Sequence, residues 1–61
     1  MTPQRMYERF CKEFPGMKNQ VVKYYRTKPR DTDYAIRITC KTGKALLFGV
    51  NKDDTWKLVL A

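Results

Sequence analysis

An α+β domain is predicted by the sequence, with an N-terminal helix packed on one face of a three- to four-stranded antiparallel sheet. Three observations carry this expectation. Met6, Tyr7, Phe10, Cys11 and Phe14 recur at i, i+1, i+4, i+5 and i+8, which is one stripe on an α-helix. From Tyr34 to Lys41 the apolar Tyr34, Ile36, Ile38 and Cys40 alternate with Ala35, Arg37, Thr39 and Lys41, the two-residue period of a strand with one oily and one polar, basic face. Lys41-Thr42-Gly43-Lys44 then reads as a tight turn into the apolar run Ala45 to Val50, with Gly43 supplying the positive φ a short hairpin needs. A hairpin is only marginally stable alone, so the other segments are expected to cover and extend it.

In chain order, Thr2-Pro3 offers a hydroxyl cap followed by proline at the first helical position. The helix is expected over Gln4 to Phe14, with Arg5, Glu8, Arg9, Lys12 and Glu13 on its wet side, and Pro15-Gly16 is expected to end it. Gln20 to Thr27 has strong β-propensity. Its two faces, Gln20/Val22/Tyr24/Arg26 and Val21/Lys23/Tyr25/Thr27, are both mixed, so composition leaves open which one meets the core. Lys28 to Asp33 is a polar loop suited to an antiparallel connection. Ala45 to Val50 is apolar enough to be shielded on both faces. Asn51-Lys52-Asp53-Asp54 is a further polar turn, and the last residues alternate Trp56, Leu58, Leu60 with Lys57, Val59, which favours a short strand over a helix too brief to hold together. The 61 residues make one small domain spanning positions 1–61.

Composition narrows the function classes. At 43% hydrophobic and 13% aromatic the chain is too apolar for a disordered tail. No apolar run approaches the roughly 18 residues of a membrane span and no signal peptide is evident, so a soluble, cytoplasmic setting is expected. With no His and no Ser, the usual catalytic triads and the commonest general base are missing, and an enzyme is not expected. Cys11 and Cys40 have no imidazole to join them in a zinc site or to activate them, and are expected as buried thiols. Asp31/Asp33 and Asp53-Asp54 suit turns better than a metal site. Thr42-Gly43-Lys44-Ala45 lacks the upstream glycine and the magnesium-binding hydroxyl of a phosphate loop, and is better explained as turn chemistry. No cofactor and no metal are expected.

The charge is the strongest global fact. Thirteen Lys and Arg against six Asp and Glu leave +7, and between Lys18 and Lys44 eight basic residues face only two acidic ones. Such an excess points to a polyanionic partner, with nucleic acid ahead of membrane because no basic anchor helix is evident. The basic set on strands and turns is Lys18, Lys23, Arg26, Lys28, Arg30, Arg37, Lys41 and Lys44. Arg37 and Lys41 share one side of their strand with Thr39 between them, and Arg26 with Tyr24 is expected to line up beside them. A face of this kind grips phosphates, with Tyr24 or Tyr25 adding a stack or a hydrogen bond to sugar. The bland alternative is a solvated sheet face, but such a face ordinarily mixes Glu with Lys, and these strands hold no acid.

The chain also resembles a known family, the smaller subunit of the Alu-domain heterodimer of eukaryotic signal recognition particle. The matching residues are Met6-Tyr7-Glu8-Arg9-Phe10, Pro15-Gly16-Met17-Lys18, Val21-Val22-Lys23-Tyr24-Tyr25-Arg26, Ala35-Ile36-Arg37-Ile38-Thr39, Leu46-Leu47-Phe48 and Val50-Asn51-Lys52-Asp53. The resemblance implies an α-β-β-β-α fold, a related larger subunit as partner, and joined sheets that present a concave basic face to the particle RNA. It carries RNA contact over to Lys18, Arg26, Arg37 and Lys52, with Lys23 or Tyr24 at one further basic position. The family's second helix has no counterpart after Trp56, and the hairpin turn is longer.

The function expected is therefore an RNA-binding module that holds the phosphate backbone of a structured RNA through Lys18, Lys23, Tyr24, Arg26, Arg37, Lys41, Lys44 and Lys52. A protein partner or a second copy is expected at a sheet edge. The competing classes are a small duplex-DNA-binding regulator and a protein–protein module.

Overall fold

Thr2 caps the helix and Pro3 opens it. In the computed structural model, which describes residues 1–61, α1 spans Pro3–Glu13 and the Arg5 amide donates to the Thr2 hydroxyl at 3.2 Å. That bond satisfies one of the first-turn donors a helix cannot pair internally. The apolar stripe faces the sheet as its spacing predicts. Met6 and Phe10 are fully buried, and Tyr7, Cys11 and Phe14 pack around them. Pro15 does not lead straight into a strand. A 3₁₀ helix, Pro15–Gln20, intervenes, because proline fits the first turn of a new helical segment, where an amide hydrogen would go unpaired anyway.

Four strands follow: β1 Val21–Arg26, β2 Tyr34–Cys40, β3 Ala45–Val50 and β4 Trp56–Leu60. They form one antiparallel sheet, as predicted, and its order is β1-β2-β3-β4. The β2–β3 turn carries Gly43 at φ 88°, and the Cys40 amide closes it on the Lys44 carbonyl at 2.8 Å. The second helix implied by the resemblance does not form. Trp56–Leu60 pairs with β3 along its length, Val50 opposite Trp56 and Leu46 opposite Leu60, so its main-chain groups are satisfied by the ladder. No helix is long and apolar enough to cross a membrane.

Register assigns each side chain to a face. On the helix side the cross-strand rows are Tyr24–Ile38–Leu46–Leu60 and Arg26–Ile36–Phe48–Leu58, flanked by Tyr34–Val50–Trp56. Ile36, Ile38, Phe48 and Val50 are at most 1% exposed there, with Phe10 edge-on to Phe48 at 5.5 Å and Phe14 edge-on to Trp56 at 5.2 Å. Each such side chain is worth about 1.5–3 kcal/mol relative to exposure, so this layer holds the domain together. Cys40 belongs to it as a small hydrophobe; Cys11 is half-buried and both thiols are free.

The mixed faces of β1 have a physical cause. The pairing shifts between Val21 and Lys23, so Val21 lies opposite Cys40 on the helix side while Lys23 lies opposite Thr39 on the other. This β-bulge inserts one residue and reverses the alternation part-way along the strand. Neither simple set of alternate residues could therefore be wholly apolar.

The side of the sheet away from the helix is not bare. The 27–33 loop folds back over one end of it, and Thr32 sits on Gly49. A Cβ on Gly49 would collide with the Thr32 side chain, so only glycine permits this approach. The loop is pinned at its C-terminal end. Thr32 donates to the Tyr34 carbonyl at 2.8 Å, the Asp33 amide donates to Asn51 Oδ1 at 3.0 Å, and the Lys52 amide donates to Asp33 Oδ2 at 2.7 Å. The predicted shielding of β3 on its second face thus comes from this loop, and only where the loop reaches.

Candidate nucleic-acid interface

Arg37 stands at the centre of the open side. Its row runs Tyr25–Arg37–Leu47–Val59, with Lys23–Thr39–Ala45 on one flank and Ala35–Gly49–Lys57 on the other. Arg37 is half-buried, yet its guanidinium takes part in none of the ion pairs and none of the side-chain hydrogen bonds. A guanidinium presents five donors in a rigid fork. The Arg37 stem packs on the sheet while its donors, engaged by no group of the chain, are left to water or to an outside anion.

Beside Arg37 the loop forms a hollow of about 310 Å³, lined by Thr27, Lys28, Pro29, Arg30, Arg37 and Leu47, with Ala61 at its rim. Three cations converge on it and no Asp or Glu side chain does. The acids explain why. Glu13 and Asp54 both accept from Arg9, tying α1 to the 51–54 turn. Asp31 accepts from Lys57 at 3.0 Å, Asp33 from the Lys52 amide, and Asp53 from the Thr55 hydroxyl and amide. Only Glu8, exposed on the helix, has no partner, and it lies on the far side of the sheet. The acids thus brace the helix and the loop-bearing end while the hollow keeps its positive charge.

Two of these contacts move pKa values. Hydrogen bonds from Thr55 hold the Asp53 carboxyl below its ordinary range, and the Glu13 and Asp54 carboxylates hold the Arg9 guanidinium above its own. Both act on the scaffold, not on the hollow.

The predicted residues divide between locations. Lys23 and Arg37 share the open face, and Lys41 follows at its β2–β3 end, exposed. Tyr24 and Arg26 do not line up with them. Register places both on the helix side, Tyr24 opposite Ile38 and Arg26 opposite Ile36. Tyr24 stacks on Tyr7 with ring centroids 4.2 Å apart and planes within 7°, and Arg26 Nη2 donates to the Met1 carbonyl at 3.4 Å. The bulge set this parity, and nothing in the local sequence announces a bulge. Lys18, in the 3₁₀ helix, and Lys44, in the β2–β3 turn, are exposed at one end of the sheet; Lys52 is exposed in the 51–54 turn at the other. Lys28, Arg30, Tyr25 and Leu47 join Arg37 instead. The sequence held one signal for this grouping: a glycine, Gly49, inside an apolar strand marks a close backbone approach, here by the loop that carries Lys28 and Arg30.

Compared with protein-family models, with curated proteins and with solved structures, the chain matches none.

Proposed function

We propose that the protein is a cytoplasmic RNA-binding module that grips the phosphate backbone of a structured RNA with the open side of its sheet. The observation that carries this reading is the unpaired, half-buried Arg37 in a hollow shared with Lys28 and Arg30 and lined by no Asp or Glu side chain. Lys23 and Lys41 extend the positive surface along the same side. Guanidinium groups suit phosphate because their paired N–H donors match two of its oxygens. The resemblance to the smaller Alu-domain subunit of signal recognition particle points to the same partner class, and it favours RNA over duplex DNA.

The test is binding of a structured RNA hairpin across a salt series. Five phosphate contacts, one each from Lys23, Lys28, Arg30, Arg37 and Lys41, give a log–log slope of about −4. Arg37→Gln lowers that slope by about one, whereas Arg5→Gln on the helix leaves it in place. A flat salt response, or equal losses from both variants, sinks the reading.

The same reading includes a protein partner at a sheet edge. The outer edges of β1 and β4 are unpaired within the chain, and Val22 and Leu60 are 61% and 73% exposed there. Unpaired strand edges with apolar side chains are templates for strand addition. Sedimentation of a stable monomer at high concentration, alone and with RNA, counts against a second copy in that role.

A further inference from the structure

We propose that the open side takes an unpaired nucleotide, with its phosphate in the hollow over Arg37 and its base stacked on Tyr25. This rests on the RNA reading and sharpens it: the ligand is a single-stranded or looped segment, not a continuous duplex. Of the four tyrosines, three have partners inside the fold. Tyr7 and Tyr24 stack on each other, and Tyr34 packs against the helix-side core. Tyr25 makes no aromatic contact, is 46% exposed, and lies directly opposite Arg37 in the β1–β2 pairing. Side chains directly opposite in an antiparallel pair have Cβ atoms about 4.5–5.5 Å apart. A free aromatic ring therefore borders an unpaired guanidinium on one surface.

The spacing matters more than the charge. A flat charged face binds any phosphate lattice, but a ring beside a recessed cationic hollow suits a nucleotide whose base has left its stack. Single-stranded recognition combines these two elements, a positive groove for the backbone and an aromatic platform for the base. At about 310 Å³ the hollow lies at the small end of ligand pockets, which run about 300–1,000 Å³. Its lining pairs Lys28, Arg30 and Arg37 with the apolar Leu47 and Pro29, so a phosphate would find its cations beside apolar surface. Thr27 supplies a hydroxyl at the same rim.

The experiment measures fluorescence anisotropy of a labelled oligouridine and of a fully paired RNA duplex with the same number of phosphates, each against the full chain at low salt. The wild-type chain is expected to bind oligouridine more tightly. Tyr25→Leu is expected to weaken oligouridine about tenfold, the scale of one lost base–aromatic stack, and to affect the duplex far less. Tyr25→Phe keeps the ring and restores most of the loss, and circular dichroism of both variants confirms that each is folded. Duplex binding equal to or tighter than oligouridine, or a Tyr25→Leu effect that is absent or the same on both ligands, overturns the nucleotide site and leaves the backbone reading standing. Failure of both RNAs to bind in a salt-dependent way overturns the two together.

Discussion

Ile36 and Ile38 of β2 are fully buried under α1, whereas Arg37 between them in sequence reaches the opposite side half-buried and unpaired. One strand thus carries both extremes of the molecule. On the helix side, aromatic and branched side chains fill a closed layer in which Phe10, Phe48 and Trp56 meet edge-on or tilted. On the open side, a short loop stands where a second layer would be, and it leaves Arg37, Leu47 and Tyr25 in contact with solvent. The difference separates the side that holds the fold together from the side the proposed RNA contact uses. Away from the patch where Thr32 rests on Gly49, substitutions on the two sides should separate into those that unfold the chain and those that leave it folded.

The harshest way to break this division is Phe48→Ala. Phe48 is fully buried in the middle of the helix-side row, and such a truncation costs about 3–5 kcal/mol. A chain of 61 residues has a total stability of about 3–9 kcal/mol at the usual value per residue. The variant is expected to be largely unfolded or to lose most of its urea midpoint, followed by far-ultraviolet circular dichroism. A cooperative transition with an unchanged midpoint would mean the core lies elsewhere.

Gly49→Ala is next in size and probes the one place where the open side is tightly packed. The added methyl would strike Thr32, so the loop must lift or the strand must bend, at a cost of about 1–3 kcal/mol. Thr32→Gly in the same chain removes the opposing atoms and should recover much of the loss, a coupling read from a double-mutant cycle. Additive effects would show that the loop does not rest on Gly49. Lifting the loop also moves Lys28 and Arg30 away from Arg37, so RNA affinity should fall in Gly49→Ala beyond what its stability explains.

The adjacent tyrosines give a smaller, sharper contrast. Tyr24→Ala removes a ring stacked on Tyr7, worth about 0.5–1.5 kcal/mol beyond its buried area. Tyr25→Ala removes an exposed ring with no partner and should change stability by no more than about 0.5 kcal/mol. Thermal unfolding of the pair decides whether β1 presents the faces its register assigns. Equal destabilisation would place the bulge wrongly.

That bulge also marks the limit of what the sequence makes legible. The helix stripe and the β2 alternation are local patterns of side-chain period, and Met6, Phe10, Ile36 and Ile38 fall in the core as those patterns demand. The sheet order follows from short connections, which leave consecutive strands little choice but to pair. The faces of β1 are different. Val21 and Lys23 point to opposite sides because β1 carries one extra residue in its pairing with β2, and a register is a property of two strands, not of β1 alone. Arg37 is legible as an open-face cation from alternation alone. Its company is not. Lys28 and Arg30 come to it through a loop held by Asp33, Asn51 and Lys52 amide contacts that join residues 18 or 19 positions apart. Composition does not choose between Tyr24 and Tyr25; the bulge turns Tyr24 toward the helix and Tyr25 toward Arg37.

The mildest probe uses pH on the helix side. Burial, and then the neighbouring Cys11 thiol, raises the Tyr7 hydroxyl above its ordinary pKa of 10.0. A raised folded-state value means the fold favours the neutral phenol. The associated stability is therefore fully present below pH 10.0 and is lost as pH climbs through the raised value. Thermal midpoints measured upward from neutral pH should stay level on this account and then fall in the alkaline range. Tyr7→Phe keeps the ring against Tyr24 but removes the ionisable oxygen, so its alkaline fall should be shallower than the wild type's. Identical alkaline limbs in wild type and Tyr7→Phe would show that the Tyr7 oxygen is as freely solvated as any on the surface, and that α1 sits less closely over β1 than a 4.2 Å ring stack requires.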